Sequence, residues 1–284
     1  MPLIHADRPL LMGVLNITPD SFSDGGRCLD PGAAIEAAAR LESEGADILD
    51  IGGESTRPGA APVDEEEELR RVLPVVRAVR SRSAIAISID TMKPGVARAA
   101  FDAGADIWND VTALRYSPDS VAVAAAIKAP VILMHMLGEP RTMQSAPHYQ
   151  MPVTRAVTEF FSQRIGAAVE AGVKPANLWL DPGIGFGKTL EHNLVLMRDL
   201  ADFAVFGRAL VVGASRKSFI ARIDHDAPPD SRLGGSLAAA LWAAQAGAAV
   251  VRVHDVAATA QALAVWRAIS GARDEVTGRS PPKP

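Results

Sequence analysis

The stretch LDPGIGFGK, residues 180–188, shows the local pattern on which the fold prediction rests. Residues 178–180 are apolar enough for a short buried strand, and Asp181 stands where that strand ends. Pro182 cannot donate to a strand ladder, and the glycines after it let backbone approach a ligand closely. For an isolated Asp-Pro-Gly, a tight turn whose aspartate caps the next helix is the favoured interpretation. Other apolar runs in the chain also end on a polar residue, and this repetition favours a binding loop.

Short apolar strands and amphipathic helices alternate along the chain about eight times. The predicted strands cover residues 10–17, 48–51, 84–89, 107–108, 131–134, 178–180, 210–212 and 250–253. The predicted helices cover residues 31–45, 64–80, 94–103, 118–128, 153–171, 190–203, 233–247 and 256–269. Unbroken apolar strands between helices indicate a parallel sheet covered on both faces, and eight such units close a (β/α)8 barrel.

We therefore predict the α/β class and a single (β/α)8 TIM barrel domain over residues 1–270, with residues 271–284 as a disordered tail. An open doubly wound sheet is the alternative architecture. No glycine-rich turn of the dinucleotide-binding type follows the first strand, which disfavours that alternative.

Composition limits the classes of function. The 284 residues are 48% hydrophobic and 22% charged, within the range of soluble globular proteins. A net charge of -4 predicts no general attraction to nucleic acid or to an anionic membrane. The single cysteine, Cys28, excludes an intrachain disulfide and fits a reducing compartment. No run approaches the ~18 apolar residues of a membrane span. We predict a cytoplasmic protein that binds small molecules.

Polar residues stand at the ends of nearly all predicted strands, where this kind of barrel carries its active site. They are Asn16, Asp50, Glu54, Asp90, Asn109, Asp110, His135, Asp181, Ser215, Lys217, Arg252 and His254. One or two of them could be loop caps. A polar residue at so many strand ends is what a ligand pocket requires, so the functional interpretation of the set is favoured.

The candidates separate by chemistry. Asp90, Asn109 and Asp181 suit a flat heterocycle with several N–H donors, because a carboxylate accepts two parallel hydrogen bonds from an amino-pyrimidine edge. Strands seven and eight, with the loops after them, supply three positively charged or ionisable groups, Lys217, Arg252 and His254. Phosphate sites of this fold frequently lie there.

Several other polar residues have two interpretations. Thr56 and Arg57 of the second loop are candidate ligand contacts, although Arg57 could equally be a solvated surface arginine. For His135 we favour a buried histidine bonded to backbone over a catalytic group. The acidic run 65–68 falls on the first turn of a helix, and we predict that it is only a solvated helix start.

Seven strings in the chain resemble the bacterial dihydropteroate synthase family. They are MGVLNITPDSFSDGG at 12–26, GGESTRPGA at 52–60, SID at 88–90, LMHMLGEPRTMQ at 133–144, LDPGIGFGK at 180–188, GASRKSF at 213–219 and VRVHDV at 251–256. They occur in the family's order and cover nearly the whole chain up to the tail. The resemblance implies a pterin-binding barrel that forms a homodimer and is the target of sulfonamides. It also implies the reaction of 6-hydroxymethyl-7,8-dihydropterin pyrophosphate with p-aminobenzoate, in the presence of Mg²⁺, to give 7,8-dihydropteroate and pyrophosphate.

The resemblance also assigns roles to individual residues of this sequence. Asn16 matches the family's metal ligand, and Asp24, Arg57 and Lys217 are the implied catalytic residues. The implied substrate contacts are Thr56, Asp90, Asn109, Met134, Asp181, Phe186, Lys217, Ser218, Arg252, Val253 and His254. We expect pyrophosphate to depart first and the aniline nitrogen to attack afterwards, with Asp24 helping to cap the cation.

Two alternatives within the pterin-binding class remain. A pterin-dependent methyltransferase has no need of the first-loop string or of the segment 215–218, and both are intact here. A non-catalytic pterin-binding paralogue would be expected to lose loop or pyrophosphate residues, and none is missing.

Overall fold

Strands and helices alternate throughout the computed structural model, which describes residues 8–18, 31–56, 59–139 and 142–271. The strands within these ranges are β1 Leu10–Asn16, β2 Ile48–Gly52, β3 Ala86–Asp90, β4 Ile107–Asp110, β5 Val131–Met134, β6 Leu178–Asp181, β7 Val211–Val212 and β8 Val250–Val253. The α-helices are α1 Pro31–Ser43, α2 Glu65–Arg82, α3 Pro94–Asp102, α4 Ser120–Ile127, α5 Val153–Glu170, α6 Leu190–Arg198, α7 Ser218–Ile223, α8 Leu233–Gln245 and α9 Val256–Gly271. Short 3-10 helices cover Pro175–Asn177, Leu200–Phe206 and Pro229–Ser231.

The eight strands form one parallel sheet in the order β6-β5-β4-β3-β2-β1-β8-β7. The two ends of this sheet meet through a parallel bridge between Leu180 and Leu210, and the Leu180 N–H donates to the Ala209 carbonyl at 2.9 Å. These contacts bring the sheet ends together in a nearly closed barrel. The predicted (β/α)8 barrel is therefore confirmed, and the open doubly wound sheet is excluded.

The interior of the barrel changes from apolar to polar along the strands. Its lower part is an apolar cluster of Leu10, Met12, Ile48, Ala86, Ile107, Ile132, Trp179, Val211 and Val250. Because side chains alternate between the two faces of a strand, inward positions nearer the carboxyl ends are fixed by the same alternation, one or two steps of two residues further along each strand. These positions are Asn16, Asp50, Asp90, Asn109, Met134, Asp181 and Arg252. The alternate strand positions, such as Leu49 and Ile51, pack against the helices in the larger core.

Three helix predictions need correction. The helix predicted over 190–203 ends at Arg198, because Asp199 leaves helical geometry while its side chain accepts a hydrogen bond from Thr154 at 2.7 Å. The stretch after Lys217, predicted as irregular, contains α7, which is too short to show a helical period in the sequence. Gly271, assigned to the tail, is the last residue of α9. The rest of the predicted tail lies outside the described residues.

None of the helices in the described ranges combines the length and the apolar character needed to cross a membrane.

Candidate active site

A single guanidinium joins two strand-end carboxylates inside the barrel. Arg252 Nε donates to Asp50 Oδ2 at 2.6 Å, and Arg252 Nη2 donates to Asp90 Oδ2 at 2.7 Å. Asn109 Nδ2 also donates to Asp50 Oδ2, at 3.1 Å. Burial opposes the charge on this cation, but Asp50 and Asp90 outweigh burial and raise the pKa of Arg252 above its ordinary value. Arg252 is therefore a fixed positive charge in the wall of the barrel mouth.

The two candidate pterin carboxylates, Asp90 and Asp181, are both buried. Burial raises the pKa of each above the ordinary range of an aspartate, although Arg252 opposes the rise at Asp90 and Lys217 opposes it at Asp181. Asp181 Oδ1 accepts a hydrogen bond from the Gly183 N–H at 2.7 Å. Asp181 thus caps the tight turn, but the next helix, α6, is capped by Thr189, and the Asp181 side chain also faces the barrel interior.

The loop between β6 and α6 is built around a buried lysine, Lys188, with a relative exposure of 1%. Lys188 Nζ lies 2.8 Å from the Gly183 carbonyl, 2.9 Å from the Phe186 carbonyl and 3.0 Å from His135 Nδ1. Burial, with a contribution from the Lys188 charge, lowers the pKa of His135 to about 2, so its ring is neutral. Burial also lowers the pKa of Lys188 well below the ordinary value of a lysine. These contacts favour the structural interpretation of His135.

Gly183 permits a close approach between this loop and β5. Its φ of +65° is a left-handed conformation, and a Cβ placed on it would lie 1.9 Å from the His135 carbonyl oxygen. Any other residue would therefore displace the loop that carries Asp181 and Phe186. The sequence analysis expected these glycines to let backbone approach a ligand, whereas the close partner of Gly183 is the backbone of the neighbouring loop.

Lys217 lies on the opposite side of the same loop. Its ammonium contacts the Ile184 carbonyl and stands 4.6 Å from the centre of the Phe186 ring. Burial lowers the pKa of Lys217 to about 8, although the charge of Asp181 opposes the shift. The Lys217 ammonium, near the Phe186 ring and the carboxylates of Asp181 and Asp90, can bind an anion. Because its pKa is about 8, its charge can also change within the physiological pH range.

Hydrogen bonds and an ion pair connect the loops after β7 and β8 next to Lys217. The hydroxyl of Ser215 lies 3.1 Å from His254 Nδ1 and accepts from the His254 N–H at 3.2 Å. Arg216 donates through Nε and Nη2 to both oxygens of Asp255, at 3.0 and 2.5 Å. The His254 ring and the Lys217 ammonium are consequently carried by two loops that share hydrogen bonds.

The described residues of the predicted site differ in how they reach the barrel mouth. Met134 faces inward in a cluster with Val111, Met136 and Met143, against which Phe186 packs. The Val253 side chain belongs to the core between the sheet and the helices, so only its backbone is available to a ligand. Ser218 is exposed at the start of α7, and Thr56 is half-buried after β2. Asp24 and Arg57 lie outside the described residues.

One sequence interpretation was wrong, and two buried lysines were missed. Glu68, assigned to a solvated helix start, is completely buried and accepts from Lys93 Nζ at 2.6 Å. The fourth residue of α2 turns toward the loop after β3, 25 positions away, and no local pattern reveals such a partner. The only sequence signal for Lys188 was its position at the end of the glycine-rich stretch 180–188. Asp110, in contrast, caps its own loop by accepting from the Thr112 and Leu114 N–H groups.

Asn16 carries an amide oxygen, a type of ligand that Mg²⁺ accepts. Asn16 ends β1 beside Gly52, at the same end of the barrel as Asp90 and Arg252. Within the described ranges, no group of three or more His, Cys, Asp or Glu side chains could hold a metal ion. Mg²⁺ commonly binds through one or two protein oxygens together with water and substrate phosphates, so one amide oxygen near a cationic pocket is compatible with it.

Comparison with known proteins assigns the chain to a family. The family model described as pterin binding enzyme matches residues 12–254. The chain belongs to the pterin-binding enzyme family. It is 47% identical over 264 residues to the dihydropteroate synthase of Haemophilus influenzae, covering 93% of this chain and 95% of that protein.

Two solved structures of dihydropteroate synthases extend this match to the fold. A Xanthomonas albilineans enzyme with 4-aminobenzoic acid is 48% identical, with a TM-score of 0.88 over 94% of both chains. A Yersinia pestis enzyme in a sulfonamide drug complex is 45% identical, also with a TM-score of 0.88, over 93% of this chain and 95% of that one. Within the pterin-binding family the chain therefore belongs with the dihydropteroate synthases, which are transferases of folate biosynthesis.

Proposed function

We propose that this protein joins 6-hydroxymethyl-7,8-dihydropterin pyrophosphate to p-aminobenzoate, giving 7,8-dihydropteroate and pyrophosphate. The observation that carries the proposal is the arrangement at the barrel mouth, where the buried carboxylates of Asp50, Asp90 and Asp181 face the interior together with the cations of Arg252 and Lys217. Asp90, Asn109 and Asp181 provide acceptors and an amide for the pterin ring. Arg252 and Lys217 provide positive charge for the diphosphate. Family membership and the 4-aminobenzoic acid found in the Xanthomonas enzyme support the same pair of substrates.

The first chemical step in this proposal breaks the bond between the pterin methylene carbon and the diphosphate oxygen. The bonding electrons leave with the pyrophosphate, and the methylene carbon is left as a cation conjugated with the electron-rich dihydropterin. The anionic forms of Asp90 and Asp181 stabilise that cation, while Lys217, Arg252 and His254 stabilise the leaving group. Asn16 would hold a magnesium ion, which would supply charge neutralisation on the leaving group.

The second step forms the carbon–nitrogen bond. The neutral aniline nitrogen of p-aminobenzoate donates its lone pair to the methylene carbon and then loses a proton to solvent. Phe186 and Ser218 would contact the aminobenzoate, with Arg57 of the second loop, whereas Thr56 of that loop would contact the pyrophosphate. Because a free cation would also react with water, exclusion of water by the first and second loops is part of the proposal, with Asp24 as a cap over the cation.

The proposal extends to assembly, location and inhibition. In the described residues, apolar side chains are exposed on the adjoining helices α6 to α9, and the largest of them is Trp242, 54% exposed on α8. This surface supports a homodimer formed by a second copy of the chain. A single cysteine and a place in folate biosynthesis support a cytoplasmic location. We also propose that sulfonamides compete with p-aminobenzoate here, as analogues of its ring.

The test is an assay of the purified protein with both substrates and Mg²⁺, in which dihydropteroate and pyrophosphate are measured together. We expect equal amounts of the two products, with dihydropteroate strictly dependent on p-aminobenzoate. Tight binding of the pterin substrate without either product would instead identify a non-catalytic paralogue. Binding of the pterin with methyl transfer to an acceptor would identify the methyltransferase alternative.

A further inference from the structure

We infer that Glu54 and Lys93 are positioning residues that fix the two described ends of the second loop, residues 53–56 and 59–64, beside the barrel mouth. The inference rests on the proposed function for its catalytic meaning, and on contacts of the described residues for its physical basis. The second loop connects β2 to α2 and includes Thr56 and Arg57 in its sequence. Neither Glu54 nor Lys93 is among the proposed substrate contacts.

A buried cluster of one lysine and two glutamates stands beneath this loop. Lys93 Nζ donates to Glu54 Oε2 and also to Glu68 Oε2, the second at 2.6 Å. The side chains are 5%, 9% and 0% exposed for Lys93, Glu54 and Glu68. The interaction with Lys93 is therefore little screened by solvent, and removal of the cation would leave two buried carboxylates without their partner.

Only one of the two glutamates belongs to the loop. Glu54 comes directly after β2, and its Oε1 accepts from the Val63 N–H at 3.3 Å, which joins the start of the loop to its end. Glu68 lies on α2, where its Cγ would be 2.9 Å from a Cβ placed on Gly53. Lys93 thus links the loop base to the loop after β3, three residues beyond Asp90.

Apolar packing does little to hold the same segment. Residues 59–63 are exposed or half-buried, and a cavity of about 490 Å³ lies against them. Ala60, Pro62 and Val63 line this cavity together with Glu54 and Lys93. Because few apolar contacts fix the described part of the loop, the ionic contact at its base decides where the loop stands relative to the barrel mouth.

The test compares Glu54→Gln with Glu68→Gln. The two variants are matched, because each replaces one of the two carboxylates that contact Lys93 by a neutral amide. We expect Glu54→Gln to raise the KM for p-aminobenzoate by about tenfold, because a charge-assisted hydrogen bond at the loop base becomes a neutral one. The dissociation constant of the pterin substrate, measured without p-aminobenzoate, should change by less than about twofold. Glu68→Gln should keep wild-type kinetics, since Glu68 does not belong to the loop.

Hydrogen exchange of residues 53–63 supplies a readout that does not depend on turnover. Exchange in this segment should accelerate in Glu54→Gln and stay at the wild-type rate in Glu68→Gln. Equal exchange and equal KM in the two variants would overturn the inference, as would a lower thermal midpoint with unchanged KM in both.

Lys93→Met provides a second route if Glu54→Gln does not fold, and Lys93→Arg should restore part of what Lys93→Met loses. If the wild-type protein makes no dihydropteroate, the proposed function fails. The exchange measurement would still decide whether Glu54 and Lys93 position the loop.

Discussion

At the scale of single residues, the barrel mouth is a set of ionisable groups that hold one another in defined charge states. Arg252 is fixed as a cation by Asp50 and Asp90, whereas Lys217 has a pKa lowered to about 8 by burial. The proposed site therefore has one permanent positive charge and one that depends on pH. The distinction matters because the pterin diphosphate needs both to neutralise its leaving group.

The first prediction concerns the alkaline side of the pH profile. Lys217 is cationic below its pKa, so kcat/KM for the pterin substrate should fall as pH rises through about 8. In Lys217→Arg the guanidinium stays charged, so the fall should move to higher pH even if the absolute rate is lower. The measurement is kcat/KM from pH 6 to about 10 in both proteins. A wild-type profile that is flat across this range would contradict the assignment of Lys217.

Single residues also show which parts of the site could be read from the sequence. Asp90, Asn109, Asp181 and Arg252 were found because strand ends of a (β/α)8 barrel converge, and the observed register brings them to one interior. Glu68 was not found, because its partner is far away in the chain and a glutamate in a helical first turn is usually solvated.

At the scale of an element, the β6–α6 loop depends on close backbone contact with the loop after β5. Lys188 Nζ contacts the carbonyls of Gly183 and Phe186 and the ring of His135. Gly183 packs directly against the His135 carbonyl. The sequence indicated a loop of unusual backbone from its three glycines. It did not indicate the buried lysine at the centre, because lysine in a polar loop is normally exposed.

Gly183→Ala tests this loop against Gly207→Ala. Both glycines have positive φ, +65° and +57°, but no atom lies within 4 Å of a Cβ placed on Gly207. Gly207→Ala should cost about 1–2 kcal/mol of unfolding free energy, the backbone penalty alone. Gly183→Ala should cost about 3 kcal/mol or more, because displacement of the His135 carbonyl is added. Denaturant unfolding gives both values, and equal losses would contradict the close contact.

At the scale of the whole molecule, the alternation of apolar strands and helices was enough to predict the barrel, because eight repeats of one unit leave few closed architectures. Boundaries were less predictable. The helix after β6 stops at Asp199, whose side chain bonds to Thr154, a tertiary contact that no local period contains. The short α7 was missed for a related reason, since six residues are too few to show a helical repeat.

The next prediction concerns the outer helices, where we propose that the homodimer interface lies. Trp242→Arg puts a charge on the exposed apolar surface of α8, so it should shift the protein toward monomer at micromolar concentration. Val169→Arg on α5, where the native valine is 39% exposed, is the control and should leave assembly unchanged. Sedimentation velocity measures both. A wild-type monomer, or a Trp242→Arg variant with unchanged mass, would contradict the proposed interface.

The central claim is that the carboxylates inside the barrel mouth carry the synthesis of dihydropteroate. The most direct test measures kcat/KM for dihydropteroate formation in Asp181→Asn and in Asp102→Asn. Both variants replace an aspartate by an asparagine, but only the first lies inside the barrel mouth. Asp102 is exposed at the last residue of α3, at the opposite end of the barrel from the strand carboxyl ends. We predict a loss of about 100-fold for Asp181→Asn, equivalent to about 2.7 kcal/mol of transition-state stabilisation, and no change for Asp102→Asn. Equal rates in the two variants would contradict the account.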